Sequence, residues 1–292
     1  MNIGVVFPQV EIGNDPAAIR DYGQAVEAMG YTHILTFDHV LGADRERHPG
    51  LKGPYSYKDP FHEPFVLYGF LAAATRRIEL VTGIVILPQR QTALVAKQAA
   101  SVDVLSGGRL RLGVAVGWNF VEYEALGEDF TTRGRRIEEQ IALLRELWTK
   151  ELVTFEGRWH RVTAAGINPL PMQRPIPIWM GGDSVPARRR AARLADGWMP
   201  HFRPGPEARA TVDELHRWVR DAGRDPARFG IEGRFSLAQV PRGEWGTELA
   251  AWRAMRGVTH VSIHTVGLGL KTPADHVETL RRFRIEAGVR EG

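Results

Sequence analysis

Between Arg77 and Asn119 the chain holds two runs that are apolar almost throughout, Ile78 to Leu87 and Leu110 to Val116. Such runs do not alternate polar with apolar residues, so both faces of each strand must be covered, as in a parallel sheet. The stretch between them, Thr92 to Leu105, sets Leu94, Val95, Gln98, Ala99, Val102 and Leu105 on one helical stripe. Gly107 and Gly108 supply the left-handed turn that stops this helix. Two buried parallel strands joined by a helix form a right-handed βαβ unit. Gly83 and Gly117 sit where a backbone can approach a ligand closely.

The same alternation runs along the rest of the chain. Ile3 to Phe7 and Thr32 to Phe37 are short strands, with a helix between them opened by Asp15-Pro16 and closed by Gly30. Val40 to Phe61 is too long for an idle connection and reads as a lid or binding loop. A helix covers Glu63 to Thr75. Beyond Asn119 a loop with Glu122, Tyr123 and Gly127 precedes another helix, from about Thr132 to Thr149. Leu152 to Val162 is a small hairpin turning at Gly157. Further strands fall at Ile176 to Met180, Gly197 to Pro200, Phe229 to Val240 and Val258 to Ile263, with helices after each. Eight strands alternating with helices close as an α/β protein of the (β/α)8 TIM-barrel kind. We expect one domain over 1–292, with insertions after strands 2, 4 and 6. An open doubly wound sheet is the weaker alternative, because Phe7-Pro8-Gln9-Val10-Glu11 is no glycine-rich dinucleotide turn.

The absence of cysteine removes disulfides, thiolate nucleophiles and cysteine-held metals. A formal charge of +4 without a dense basic block argues against nucleic acid and suits a small anionic molecule or simply an ordinary surface. No stretch has the length of a membrane span, and the N-terminus lacks the features of a signal peptide, so a cytoplasmic location is expected.

In a barrel the chemistry lies at the C-terminal ends of the strands. Phe7 and Gln9, Asp38 and His39, Gly83 with Ile84, Gly117 with Trp118, Gly181 to Ser184, Trp198 with His201, and His264 fall there. This mouth is aromatic, lined by glycine and poor in carboxylates. It lacks the His-x-His pair of a metal-dependent hydrolase barrel and the paired carboxylates of a glycosidase. No metal is expected. A flat cofactor that brings its own reactivity fits better. Gly181-Gly182-Asp183-Ser184 opens a helix whose free N–H groups suit a cofactor phosphate, and Arg188 to Arg190 either reach an acidic cofactor tail or are simply a solvated face.

Asp103, the Ser106-Gly107-Gly108-Arg109 run, the following glycines and Gly117-Trp118 closely resemble the luciferase-like flavin and deazaflavin oxidoreductases. The likeness extends to Asp38-His39, Gly181-Gly182-Asp183 and Asp196-Gly197-Trp198. It implies the barrel, a homodimer, and a non-prolyl cis peptide at Gly83–Ile84 that supports the cofactor's middle ring. It further implies that His39 is catalytic and that Asp38, His39, Gly83, Ile84, Gly117, Gly181, Gly182 and Asp183 bind the cofactor. Phe7, Trp118 and Trp198 are the expected substrate contacts. In the sugar-phosphate dehydrogenase branch a catalytic glutamate occupies the position of Trp118, which argues against that activity here. The compact length and the Asp-His pair resemble the branch that uses the deazaflavin coenzyme F420 to move a hydride to or from an organic substrate. The alternatives are an FMN-dependent monooxygenase fed with reduced flavin by a separate reductase, and a non-catalytic flavin-binding protein.

Overall fold

The computed structural model describes residues 1–289. The last three residues of the expected 1–292 domain lie outside that range. The chain opens with β1 (Asn2–Val6), α1 (Pro16–Ala28), β2 (His33–Thr36), α2 (Pro64–Ala74), β3 (Glu79–Thr82) and β4 (Val85–Ile86). It continues through α3 (Thr92–Ser106), β5 (Leu110–Ala115), α4 (Phe120–Ala125), α5 (Arg133–Thr149), and the hairpin β6 (Val153–Glu156) and β7 (Arg161–Ala165). The final part is β8 (Ile178–Gly181), α6 (Val185–Leu194), β9 (Gly197–Met199), α7 (Pro206–Asp221), β10 (Gly230–Ser236), α8 (Trp245–Arg253), β11 (His260–His264) and α9 (Pro273–Glu286).

The barrel strands are parallel and pair in the order β3-β2-β1-β11-β10-β9-β8-β5, and β3 pairs with β5 to close the ring. β4 extends the β3 position after a break and pairs with β5 through Val85 and Ile86. Counting β3 and β4 as one, the barrel has eight strands, as the sequence predicts. The helix starts follow the local chemistry. Asp15 accepts the Ala17 N–H ahead of Pro16, and Thr272 and Asp275 form a reciprocal cap on α9.

The core is layered. Val6, Leu35, Val81, Trp179 and Met199 pack inside the barrel, while a larger set lies between barrel and helices. Below the mouth, the buried Glu232 carboxylate receives Arg111, the His33 ring nitrogen and the Ser262 hydroxyl, and Arg111 also reaches Glu79. Burial opposes ionisation of Glu232, yet Arg111 and His33 hold its carboxyl well below the usual range.

Four expectations need correction. The strand expected over Ile78 to Leu87 is interrupted, because the Gly83–Ile84 peptide is cis and β4 turns into a 3-10 helix at Leu87. On α3 the inward face carries Val95, Ala96, Ala99, Ala100 and Val102, whereas Leu94 and Leu105 face outward. Small residues let α3 pack closely, and the two leucines lie on its other side. The insertion expected after the sixth barrel strand is absent, since a short loop takes Met199 to Pro206. Finally, part of the loop expected after Asn119 is the short helix α4, capped by the Asn119 side chain on the Glu122 N–H. The loop after β2 and the hairpin that follows α5 are both present.

Candidate active site

A cavity of about 480 Å³ opens at the C-terminal ends of the strands. That is within the usual size for small-molecule and cofactor sites. Its walls are mainly apolar, with Ile84, Ile86, Val116, Trp118, Met180 and Met199 facing it. Gly83 lines it as well, so both residues of the cis peptide border the space. Gly117 and Gly181 complete that side, and a Cβ on Gly181 would come within 3.2 Å of the Ile84 side chain.

His39 stands at the rim just beyond β2. Its ring is clasped edge-on by Tyr55, Phe61 and Trp118, at centroid distances of 5.3, 5.0 and 5.4 Å. Nδ1 lies 3.4 Å from Oε2 of Glu122. The other oxygen of Glu122 accepts the N–H groups of Val40 and Leu41, so one fully buried carboxylate both ties down the loop after His39 and faces the imidazole. Among the described residues none bonds to Nε2, and His39 lines the cavity, which leaves that nitrogen for a guest.

Asp38 points the other way. Its carboxylate forms a paired contact with Arg90 at 2.7 and 3.3 Å and accepts the Ile86 N–H at 3.0 Å. Burial pushes the Asp38 carboxyl up, and Arg90 pulls it back only in part. Arg90 also holds Glu63, the cap of α2. Asp38 thus ties the strand on the far side of the cis peptide to the end of β2, in addition to bordering the cavity.

At another side of the mouth, Ser184 caps α6 and Gly182 takes the left-handed backbone (φ 108°). The Asp183 carboxylate is engaged by the N–H and Nδ1 of His201. Burial acts to raise it, but His201 outweighs burial and holds it below the ordinary value. Arg190 reaches the cavity from α6 while bound to Glu138. Its two neighbours turn elsewhere: Arg188 pairs with Glu214 and Arg189 lies over Trp218.

Two expected substrate contacts are misplaced. Phe7 is 1% exposed and packs edge-on against Tyr22 of α1, outside the cavity. Strand alternation is the reason: Val6 points into the barrel, so Phe7 points out. Trp198 is fully buried on the helix side for the same reason, since its neighbour Met199 takes the inward place. Its indole N–H donates to the Gly182 carbonyl at 2.9 Å, so it supports the mouth from behind. Trp118 does line the cavity.

Sequence reasoning missed Glu122, Tyr55, Arg90 and Arg234, all of which meet the cavity or the residues that shape it. Only Arg234 carried a usable signal: Glu232 and Arg234 are charges at alternate positions of a barrel strand, which puts both on the inner face. Among the described residues no group of His, Asp and Glu is arranged to hold a metal ion. No described helix is long and apolar enough to cross a membrane.

Residues 1–262 match the family described as luciferase-like monooxygenase. An uncharacterized protein of Mycobacterium tuberculosis is 36% identical over 223 residues, covering 75% of this chain and 77% of its own. An FMNH2-dependent dimethylsulfone monooxygenase of Pseudomonas putida is 32% identical over 203 residues, covering 67% of this chain but 52% of its own. Among solved structures, an F420-dependent secondary alcohol dehydrogenase bound to an F420–acetone adduct superimposes with a TM-score of 0.72. Identity there is 17%, with 97% of this chain and 99% of that chain covered, a likeness of fold.

Proposed function

The chain belongs to the luciferase-like monooxygenase family and is an oxidoreductase of the flavin or deazaflavin type, and from that premise we propose that it is an F420-dependent enzyme acting on a small organic substrate. The observation that carries this reading is the placement of His39, an imidazole with one nitrogen backed by Glu122 and the other open to an apolar cavity. The bound deazaflavin would supply the hydride chemistry. Gly83 and Ile84 would carry one face of its ring, with Gly117 and Gly181 leaving space beside it. The α6 N-terminus at Gly182 to Ser184, with Arg190, would hold an anionic part of the cofactor. His39 would donate to, or take a proton from, the reacting oxygen of the substrate. Trp118 and the apolar walls would keep water away.

The deazaflavin reading draws on length: the chain covers 99% of the F420-dependent dehydrogenase but only 52% of the FMNH2-dependent dimethylsulfone monooxygenase. Against it stands the 32% identity to an FMNH2-dependent monooxygenase, which makes an FMN enzyme served by a separate reductase the second reading. Titrating F420 and FMN separately while following tryptophan fluorescence decides between them, because Trp118 lines the cavity. Quenching by F420 at micromolar levels, with FMN far weaker, is the expected result. The reverse order would transfer the assignment to FMN.

We further propose a single-domain cytoplasmic enzyme that pairs as a homodimer. Val66 and Phe70 on α2 and Leu94 and Leu105 on α3 leave an apolar outer face on two neighbouring helices. A second copy of the same face would cover it. Sedimentation of a Val66→Glu, Leu94→Glu variant should give a monomer. A protein already monomeric before substitution would end the proposal.

A further inference from the structure

Arg234 stands out among the arginines near the barrel centre. Arg90 is matched by Asp38 and Glu63, and Arg111 by Glu79 and Glu232. The Arg234 guanidinium lines the cavity, lies over the Phe37 ring at 4.9 Å, and has no carboxylate within salt-bridge distance among the described residues. The nearest acids are committed elsewhere. Glu232 is bound by Arg111, His33 and Ser262, and Asp183 by His201. A half-buried guanidinium with no carboxylate in contact loses hydration for only the Phe37 ring face and more distant charges in return, unless a ligand supplies the missing anion.

Its position in the ring says which ligand that would be. β10 carries Arg234 at the seventh barrel position, diametrically across from the third, where Gly83 and Ile84 lie. A flat guest held against Gly83 and Ile84 therefore leaves Arg234 on the opposite wall, with the substrate space between. Tyr55 borders the same space beside Arg234, and among the described residues its hydroxyl forms no hydrogen bond, so it offers a second donor. The remaining surface there, Met199 and Met180, is apolar.

We infer that Arg234 is the specificity-determining residue of the site and that the substrate is a small organic acid, with a carboxylate or sulfonate head on Arg234 and Tyr55 and an apolar body. The planar fork of arginine matches either head with two parallel charge-assisted hydrogen bonds, stronger than those it can make to a neutral acceptor. This assignment rests on the reading of the cavity as a cofactor-and-substrate site.

The test is calorimetric titration of the intact protein, with and without F420, using methanesulfonate, propionate and, as uncharged counterpart, dimethyl sulfone. Wild type, Arg234→Met and Arg234→Lys are compared, with thermal midpoints to show that each is folded. The two acids should bind wild type, with Kd weakened about tenfold or more in Arg234→Met and less in Arg234→Lys. Dimethyl sulfone should not bind, and F420 affinity should be the same in all three. Equal binding of the sulfone, full anion affinity in Arg234→Met, or loss of F420 affinity in that variant would overturn the inference. If wild type takes up no F420, the cofactor reading fails, while the anion titration of the cofactor-free protein still decides the role of Arg234.

Discussion

Oε2 of Glu122 lies 3.4 Å from Nδ1 of His39, although 83 positions separate them in the chain. The contact exists because α4 starts at the end of β5 and the loop after β2 bends over it, so that the Val40 and Leu41 N–H groups reach the same carboxylate. Glu122 thereby acts on His39 as a positioning residue.

Replacing His39 with alanine should lower kcat by about a hundredfold, the usual scale for a lost general acid or base. Added imidazole should restore part of the rate. Glu122→Gln should lose less, about tenfold, because an amide still approaches Nδ1 but no longer matches both N–H donors behind it. Steady-state kinetics with unchanged thermal midpoints is the check. Normal turnover in His39→Ala removes that residue from the mechanism.

Arg90→Met should destabilise the fold by about 3–5 kcal/mol, since it leaves the buried Asp38 carboxylate with only the Ile86 N–H. Adding Asp38→Asn to that variant should recover much of the loss, because a neutral amide needs no counter-charge. Urea denaturation of the two single variants and the double variant reads the coupling directly. Additive losses would show that the pair is not linked.

Gly53 touches the active site from the loop after β2. A Cβ there would come within 2.2 Å of the Trp118 ring. Gly53→Ala should therefore push Trp118 or the loop aside, altering KM and the tryptophan emission, with a stability loss of about 1 kcal/mol for this part-buried loop position. An unchanged emission spectrum and KM would show that the loop yields without moving the indole.

Stability should fall as pH drops below about 6.5. Burial, assisted by Arg111, lowers His260 from 6.5 to about 3, and burial, assisted by Arg234, lowers His264 from 6.5 to about 4. In the unfolded chain both rings gain a proton near pH 6.5, while in the folded chain they stay neutral. The stabilisation is thus complete above that pH and is lost as pH falls toward the folded values. Each ring contributes a slope of up to about 1.4 kcal/mol per pH unit in that window. The depressed carboxylates Glu232 and Asp183 add the same sign only below about pH 4.5. Urea midpoints between pH 8 and 5 test this, and His264→Asn should flatten the decline. A midpoint that stays level over the whole range would contradict it.

What was legible in advance is what depends on local pattern. Uniformly apolar runs such as Leu110 to Val116, and caps such as Asp15-Pro16, determine strands, helix starts and hence the alternation that closes the barrel. The Asp38-His39 pair and the glycines at strand ends were locatable because they fall where β-strands finish. Side-chain direction was less secure. A shift of one position turned Phe7 and Trp198 from the cavity to the helix layer, since strand neighbours face opposite ways.

The sequence by itself thus determined the barrel, the strand ends that form its mouth and the two residues at the rim. Tertiary structure alone decided the partnerships: Arg90 with Asp38, Glu122 behind His39, and, among the described residues, Arg234 with no acid in contact. Period and propensity act over a few residues, whereas each of these charges was matched or left unmatched by groups tens of positions away, brought together only when the sheet closed on itself.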